Sequence, residues 1–286
     1  MTGPQRTDPP AATASRRLNT GIIVGGGLVA LAVLAALVSL VWTPHDPLPV
    51  VAADRLLTPG DGYLLGTDPY GRDVLSLLMY GARISLLVGV VAVAMAVVIG
   101  VPVGVCAGMN GGRVDQLLMR INDVALAFPA LLLAIVLGAV FGAGVGTAMI
   151  ALGIGAAPSF ARVSRSGTLQ VMSREYVTAA RAAGRGGLFV AVRHVLPNIS
   201  GLVIVQSSVA FAIAVLSEAA LSYLGFGTTP PTPSWGRMLQ ESQSYLASAP
   251  HLVVWPGLAI ALTVLGLNLF GDGLRDHLDP RMEAGR

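Results

Sequence analysis

Residues 21–42 read GIIVGGGLVALAVLAALVSLVW, 22 positions without a charged side chain. As a helix the run reaches roughly 33 Å, enough to cross a bilayer's hydrocarbon core. It exceeds the about 7–15 apolar residues of a signal peptide. Ser15-Arg16-Arg17 has the look of a twin-arginine signal, but Asn19 and Thr20 are polar where such a signal turns apolar. The stretch is therefore expected to stay as a first membrane span, preceded by a Pro-, Ala- and Thr-rich disordered tail at 1–20.

Five more spans are expected outward from it, near 84–108, 114–141, 145–161, 198–221 and 252–271. The fourth is short and carries Gly153, Gly155 and Pro158. The connecting segments are outer loops at 43–80 and 222–251, an inner loop at 162–197 and a C-terminal tail at 272–286, so that residues 81–271 form a five-helix core. Composition agrees: 54% of the residues are hydrophobic and 12% charged, where a soluble domain carries about 25% charged residues. So few charges cannot cover a water-facing surface. The fold class is all-α integral membrane, with six transmembrane helices.

Every Lys or Arg in the chain is Arg. Fourteen of the 18 fall on one side of this topology (6, 16, 17, 113, 120, 162, 165, 174, 181, 185, 193, 275, 281 and 286). Arg55, Arg72, Arg83 and Arg237 fall on the other. Positive loops stay in the cytoplasm, which places both termini there. This pattern also accounts for the basic balance without nucleic acid. Trp42, Trp235 and Trp255 are expected at the outer interface. Gly100, Gly104 and Gly108 share one helix face, and Gly138, Gly142 and Gly146 cluster at the 3–4 turn; both sets suit close helix approach.

The absence of Lys excludes a P-loop, so the chain is not expected to hydrolyse ATP. His45, His194, His251 and His277 are far apart, and the lone Cys106 lies in an apolar run, so neither a metal site nor a catalytic residue is expected. Glu218 sits near the outer end of the fifth span. It is expected to pair with Arg83 or Arg237; the other reading is a polar group at the mouth of a pathway. Arg120 and Asp123 are spaced for an i,i+3 ion pair, and Asp115 suits the first turn of the third span.

The inner loop reads Arg174-Glu175-Tyr176-Val177-Thr178-Ala179-Ala180-Arg181-Ala182-Ala183-Gly184, and after nine residues His194-Val195-Leu196-Pro197. The first part is expected to be a short helix stopped by Gly184, whose backbone tolerates a left-handed cap. Pro197 suits the first turn of the next helix. The loop thus reads as a helical knob on the cytoplasmic face, able to fit a groove on a partner. The competing reading is a surface helix on anionic lipid.

This loop resembles the signature of permease subunits of ATP-binding-cassette importers, Glu-Ala-Ala, three residues, Gly, nine residues, an aliphatic residue, any residue, then Leu-Pro. Thr178 stands where the family has Glu, and Glu175 lies one turn earlier; His194 replaces the aliphatic residue. Further stretches resemble the C-type permeases of dipeptide, oligopeptide and nickel importers: Leu65-Gly66-Thr67-Asp68, Gly71-Arg72-Asp73-Val74-Leu75, Tyr80-Gly81-Ala82-Arg83, Leu221-Ser222-Tyr223-Leu224-Gly225, Ser234-Trp235-Gly236 and Asn268-Leu269-Phe270-Gly271-Asp272.

The resemblance implies the type I importer permease fold in the plasma membrane of a prokaryote. It implies a homologous second permease enclosing the pathway, and two ATP-binding domains, holding ATP and magnesium, docked on Glu175, Tyr176, Thr178, Ala179, Ala180, Arg181, Gly184, His194 and Pro197. It implies an extracytoplasmic binding protein delivering short peptides near Asp68, Arg72, Asp73, Glu218 and Trp235. Thr67 or Asp68 is expected to cap a helix there, with Pro69 starting it. Nickel complexes or haem are alternative cargoes. An ion-coupled secondary carrier is the alternative from a different class, disfavoured because no carboxylate lies at a span midplane.

Overall fold

A computed structural model describes residues 20–60 and 62–278. Of the two expected tails, 1–19 and 279–286 lie outside this range. Helix α1 covers Thr20–Ser39, α2 Val74–Asn110, α3 Gly112–Ala127, α4 Ala130–Phe141, α5 Val145–Met172 and α6 Glu175–Ala182. Next, α7 (Gly187–Val190), a π-helical turn (Ala191–Val195) and α8 (Leu196–Tyr223) follow without a break as one helix, Gly187–Tyr223. A short α9 (Trp235–Ser242) precedes α10 (His251–Leu278).

Five helices are long and apolar enough to cross a membrane: α1, α2, α5, the Gly187–Tyr223 helix and α10. The pair α3 and α4 makes the sixth crossing, bent by 76°. Its crossing follows from the packing of α2 on α5. Gly100, Gly104 and Gly108 of α2 meet Ala157, Ala161 and Thr168 of α5 in the same order, so the two helices run parallel. The chain between them must therefore return from one end of the bundle to the other. Six crossings put the start of α1, the end of α10 and α6 at one end, and α9 at the opposite end.

The α2–α5 seam is built from absent side chains. A Cβ on Gly104 would collide with the carbonyl oxygen of Ala161, and one on Gly100 with that of Ala157. Backbones this close gain dispersion contacts along their length, the attraction that holds helices together in lipid. Phe160, fully buried, fills the space beside Gly100. The second glycine set behaves differently. Only Gly138 meets a distant segment, at Phe226 just after α8, while Gly142 and Gly146 face open space.

Several helix limits differ from the sequence expectation, each for a local reason. Helix α2 begins at Val74, inside the expected 43–80 loop, because the buried Asp73 caps it by accepting from Ser76 N at 3.0 Å; the cap is neither Thr67 nor Asp68, and Pro69 does not start the helix. The third span breaks at Phe128 because Pro129 forces its predecessor into an extended conformation (φ −90°, ψ 119°). Helix α5 continues through 162–172, where Arg162 and Arg165 end the apolar run but not the helix. Arg165 pairs with Asp115 and Arg162 with Asp123 (2.9 Å), both across to α3. Asp123 therefore serves Arg162 rather than Arg120, and the expected inner loop 162–197 shrinks to the segment around α6.

Pro197 does not open a helix. It is the second residue of α8, just past the π-helical turn. Proline lacks an N–H and crowds the carbonyl four residues back, and a π-turn is a local widening that takes up that misfit. Helix α10 likewise runs on past Gly271 to Leu278, through the start of the expected tail. Of the tryptophans, Trp42 is exposed but Trp235 is 3% exposed. Its Nε1 donates to the Leu78 carbonyl at 3.0 Å, and its ring fills the space left by Gly81. Trp235 is a core residue of the α9 end, not an interfacial anchor.

Candidate functional site

Three features at different levels of the bundle carry polar chemistry. The first is the lobe around α6. Gly184 has φ +77° and ends the helix in a Schellman motif: Arg185 N donates to Ala180 O at 3.1 Å and Gly184 N to Arg181 O at 2.9 Å. Val177, completely buried, pins the helix into a cluster with Val171, Val190, Val195 and Ile199. Glu175, Tyr176, Thr178, Ala179, Arg181 and Gly184 remain exposed around it, and Ala180 is half-buried. The Tyr176 and His194 rings lie 5.6 Å apart, and Phe189 packs edge-on against His194 at 5.8 Å. The motif's two halves thus form one surface, with Leu188, 80% exposed, beside it. One apolar anchor and a closed cap hold rigid a short helix whose outer face is free.

The second is a folded lobe at the α9 end. Asp68 Oδ1 accepts from the backbone N–H groups of Tyr70 (2.8 Å) and Arg72 (2.9 Å), and its Oδ2 accepts from Arg72 Nε at 2.7 Å. Arg72 then reaches Glu241 of α9 (2.8 Å), and Glu241 also accepts from Arg237 Nε at 2.8 Å. The chain Asp68–Arg72–Glu241–Arg237 is mostly buried and ties the α1–α2 connection to α9. Glu241 carries no signal in the sequence, since it lies outside the short stretches that carry the resemblance. Asp73 accepts from Ser76 Oγ at 2.5 Å and lies 3.5 Å from His45 Nδ1. Beside it, Tyr63 donates to Asp54 Oδ2 at 2.7 Å. That hydrogen bond to a carboxylate holds the phenol neutral above its ordinary range.

Glu218 corrects an expectation. It is 1% exposed and pairs with neither Arg83 nor Arg237. Instead it accepts from Ser85 Oγ (2.9 Å), Ser222 Oγ (2.7 Å) and Thr228 Oγ1 (3.2 Å). Arg83 donates to Ser39 and stacks over Tyr80; Arg237 is taken by Glu241. The carboxylate is a junction joining α2, α8 and the segment after α8. It lies inside the protein, so it is no exposed mouth of a pathway in this chain.

The third feature is a cleft of about 150 Å³ bordered by α2, α4, α5 and α8. Its walls are apolar apart from Ser159, Gln206 and Ser217. Nothing in the sequence marked these three, because each is a single polar residue in an apolar run. Among the described residues no group of three or more His, Cys, Asp or Glu side chains gathers as a metal site.

Comparison with known proteins places this architecture. Residues 100–284 match the family of binding-protein-dependent transport system inner membrane components. The chain is 42% identical to the di/tripeptide transport system permease protein DppC of Pseudomonas aeruginosa, over 93% of this chain and 89% of the relative. It is 45% identical to the dipeptide transport system permease protein DppC of Escherichia coli, over 93% and 90%. It is 39% identical to the glutathione transport system permease protein GsiD of Pectobacterium atrosepticum, over 94% and 90%. In fold it is similar to the inward-facing MetNI methionine ABC transporter, with a TM-score of 0.59 and 19% identity over 71% of this chain and 96% of that one. A six-crossing bundle, a capped lobe carrying the signature residues and these relatives lead to one conclusion: the chain belongs to the binding-protein-dependent transport system inner membrane components, as a multi-pass permease subunit.

Proposed function

We propose that this subunit carries short peptides into the cell by alternating access, in partnership with a homologous second permease. The α6 end faces the cytoplasm, as the excess of Arg at that end supports. Two ATP-binding domains, which hold ATP and magnesium, grip the surface formed by Glu175, Tyr176, Thr178, Ala179, Ala180, Arg181, Gly184 and His194; Pro197 stiffens the helix behind it. The α9 end faces outward and receives a substrate-binding protein on the lobe braced by Asp68, Arg72, Asp73 and Trp235. The peptide cargo is supported by the names of relatives at 42% and 45% identity.

The observation that carries this reading is the construction of the α6 lobe. A helix anchored by the buried Val177 and closed by a Schellman cap transmits a push instead of absorbing it. Motion of the ATPases then rocks α5 and the Gly187–Tyr223 helix, which share the lobe's apolar cluster.

The test is an Ala179→Asp substitution in the assembled transporter. A buried-on-docking carboxylate is expected to lower peptide uptake at least tenfold and to uncouple ATP hydrolysis from the binding protein. Gly184→Pro, which cannot adopt φ +77°, is expected to do the same. Uptake and coupling that both survive in the two variants would overturn the docking role.

A further inference from the structure

We infer that the cleft between α5 and α8 is a subsite for the peptide backbone, with Gln206 as the residue that reads it. The inference rests on the importer reading above and assigns a place and a chemistry to its cargo. Gln206 and Ser217 share one stripe of α8, and Ser159 faces them from α5. The helices run antiparallel, since α5 leads to the α6 end and α8 leads away from it, and Gly167 of α5 packs on Ile199 and Leu202 of α8. Eight residues back along α5 from Gly167 and seven forward along α8 from Ile199, Ser159 comes nearly level with Gln206.

None of the three side chains hydrogen-bonds to the described residues. Neighbouring hydroxyls in the same helices do: Ser207 donates to Val203 O and Thr168 to Ser164 O, both at 2.7 Å. The three cleft groups keep their polar atoms for something outside this chain. Lipid is not a tenable partner, since an amide without a hydrogen bond is costly in hydrocarbon. Water, a polar cargo and the second permease are, and assembly of a Gln206 variant separates the last from the others.

The chemistry of the cleft narrows the cargo. A Gln amide both donates and accepts, as do Ser hydroxyls. Such groups bond the C=O or the N–H of any peptide unit. No charged side chain lines the cleft, so it selects neither acidic nor basic residues. Its remaining walls are Ala, Val, Leu, Ile and Gly, which tolerate varied side chains. A site meant to pass many short peptides needs this combination: backbone recognition without side-chain discrimination.

The experiment uses the full assembly with its binding protein in proteoliposomes. In a Cys106→Ser background, Gln206→Cys is exposed to a hydrophilic thiol reagent, with Val136→Cys on the exposed face of α4 as the lipid-facing reference. The thiol at 206 is expected to react at least tenfold faster than that at 136, and to be slowed at least fivefold by a saturating dipeptide with binding protein and ATP. In parallel, Gln206→Leu is expected to assemble while the KM for dipeptide uptake rises about tenfold.

Equal reactivity at the two positions, absence of dipeptide protection, or an unchanged KM would overturn the inference. So would failure of Gln206→Leu to assemble, which would make the amide a contact between permeases. An unsubstituted assembly that moved no dipeptide would remove the importer reading itself and this inference with it, an outcome read on a different sample.

Discussion

Arg72 Nη2 lies 2.8 Å from Glu241 Oε2, joining the α1–α2 connection to α9 across 169 positions of sequence. The same guanidinium holds Asp68, and the same carboxylate holds Arg237. Two segments that look like separate loops in the sequence are one braced surface.

Arg72→Ala removes the shared cation and leaves two mostly buried carboxylates without it. Breaking a buried pair from one side costs about 3 kcal/mol. The purified assembly is expected to melt earlier and to be nicked by protease within 43–73 or 224–250. Because the partners share one network, Arg72→Ala with Glu241→Ala should cost less than the two single effects added together. A strictly additive result would dissolve the bridge as a unit.

Glu218 is expected to separate hydrogen-bonding capacity from charge. Glu218→Gln keeps one acceptor oxygen for the Ser85, Ser222 and Thr228 hydroxyls, and should change stability by about 1 kcal/mol. Glu218→Ala strands those hydroxyls and opens a cavity, at about 3 kcal/mol. Thermal unfolding in detergent checks the order; equal losses from both would mean that the charge, and not the junction, matters.

The α2–α5 seam predicts opposite outcomes for two glycines. Gly104→Val places a branched side chain against the Ala161 carbonyl and Ser164, so the protein is expected not to reach its folded state in the membrane. Gly146→Ala projects into open space within a helix and should be neutral or stabilising by up to about 1 kcal/mol. Yield of monodisperse protein decides between them.

Tyr63 provides the pH prediction. Its hydrogen bond to Asp54 raises the phenol's pKa above 10.0. A group whose folded pKa is raised stabilises the fold fully below its unfolded pKa, and that contribution is lost as pH rises through the folded value. Stability gained from this contact is therefore present at neutral pH and fades above about 10. Ultraviolet titration of tyrosinate in the folded protein should show one late-titrating phenol that Tyr63→Phe removes.

Much of this was legible in advance. Hydropathy located all six crossings, because a bilayer demands long apolar runs whatever their packing. The end of α6 at Gly184 was legible because a left-handed cap is a local property of one residue. The Gly100, Gly104 and Gly108 stripe was readable from spacing alone. Gly142 and Gly146, with similar spacing, face open space: small residues permit close approach but do not compel it.

What composition and local chemistry decided, then, is that the chain lives in a bilayer, crosses it six times and carries a capped lobe at one end. Only the tertiary structure decided who pairs with whom. Glu218 turns to hydroxyls, Asp123 to Arg162, Arg237 to Glu241, and Trp235 inward. Span number and caps depend on neighbours a few residues away or on the solvent. Ion pairs and buried rings depend on which helices stand side by side, and one sequence offers several partners of equal charge until the helices are packed.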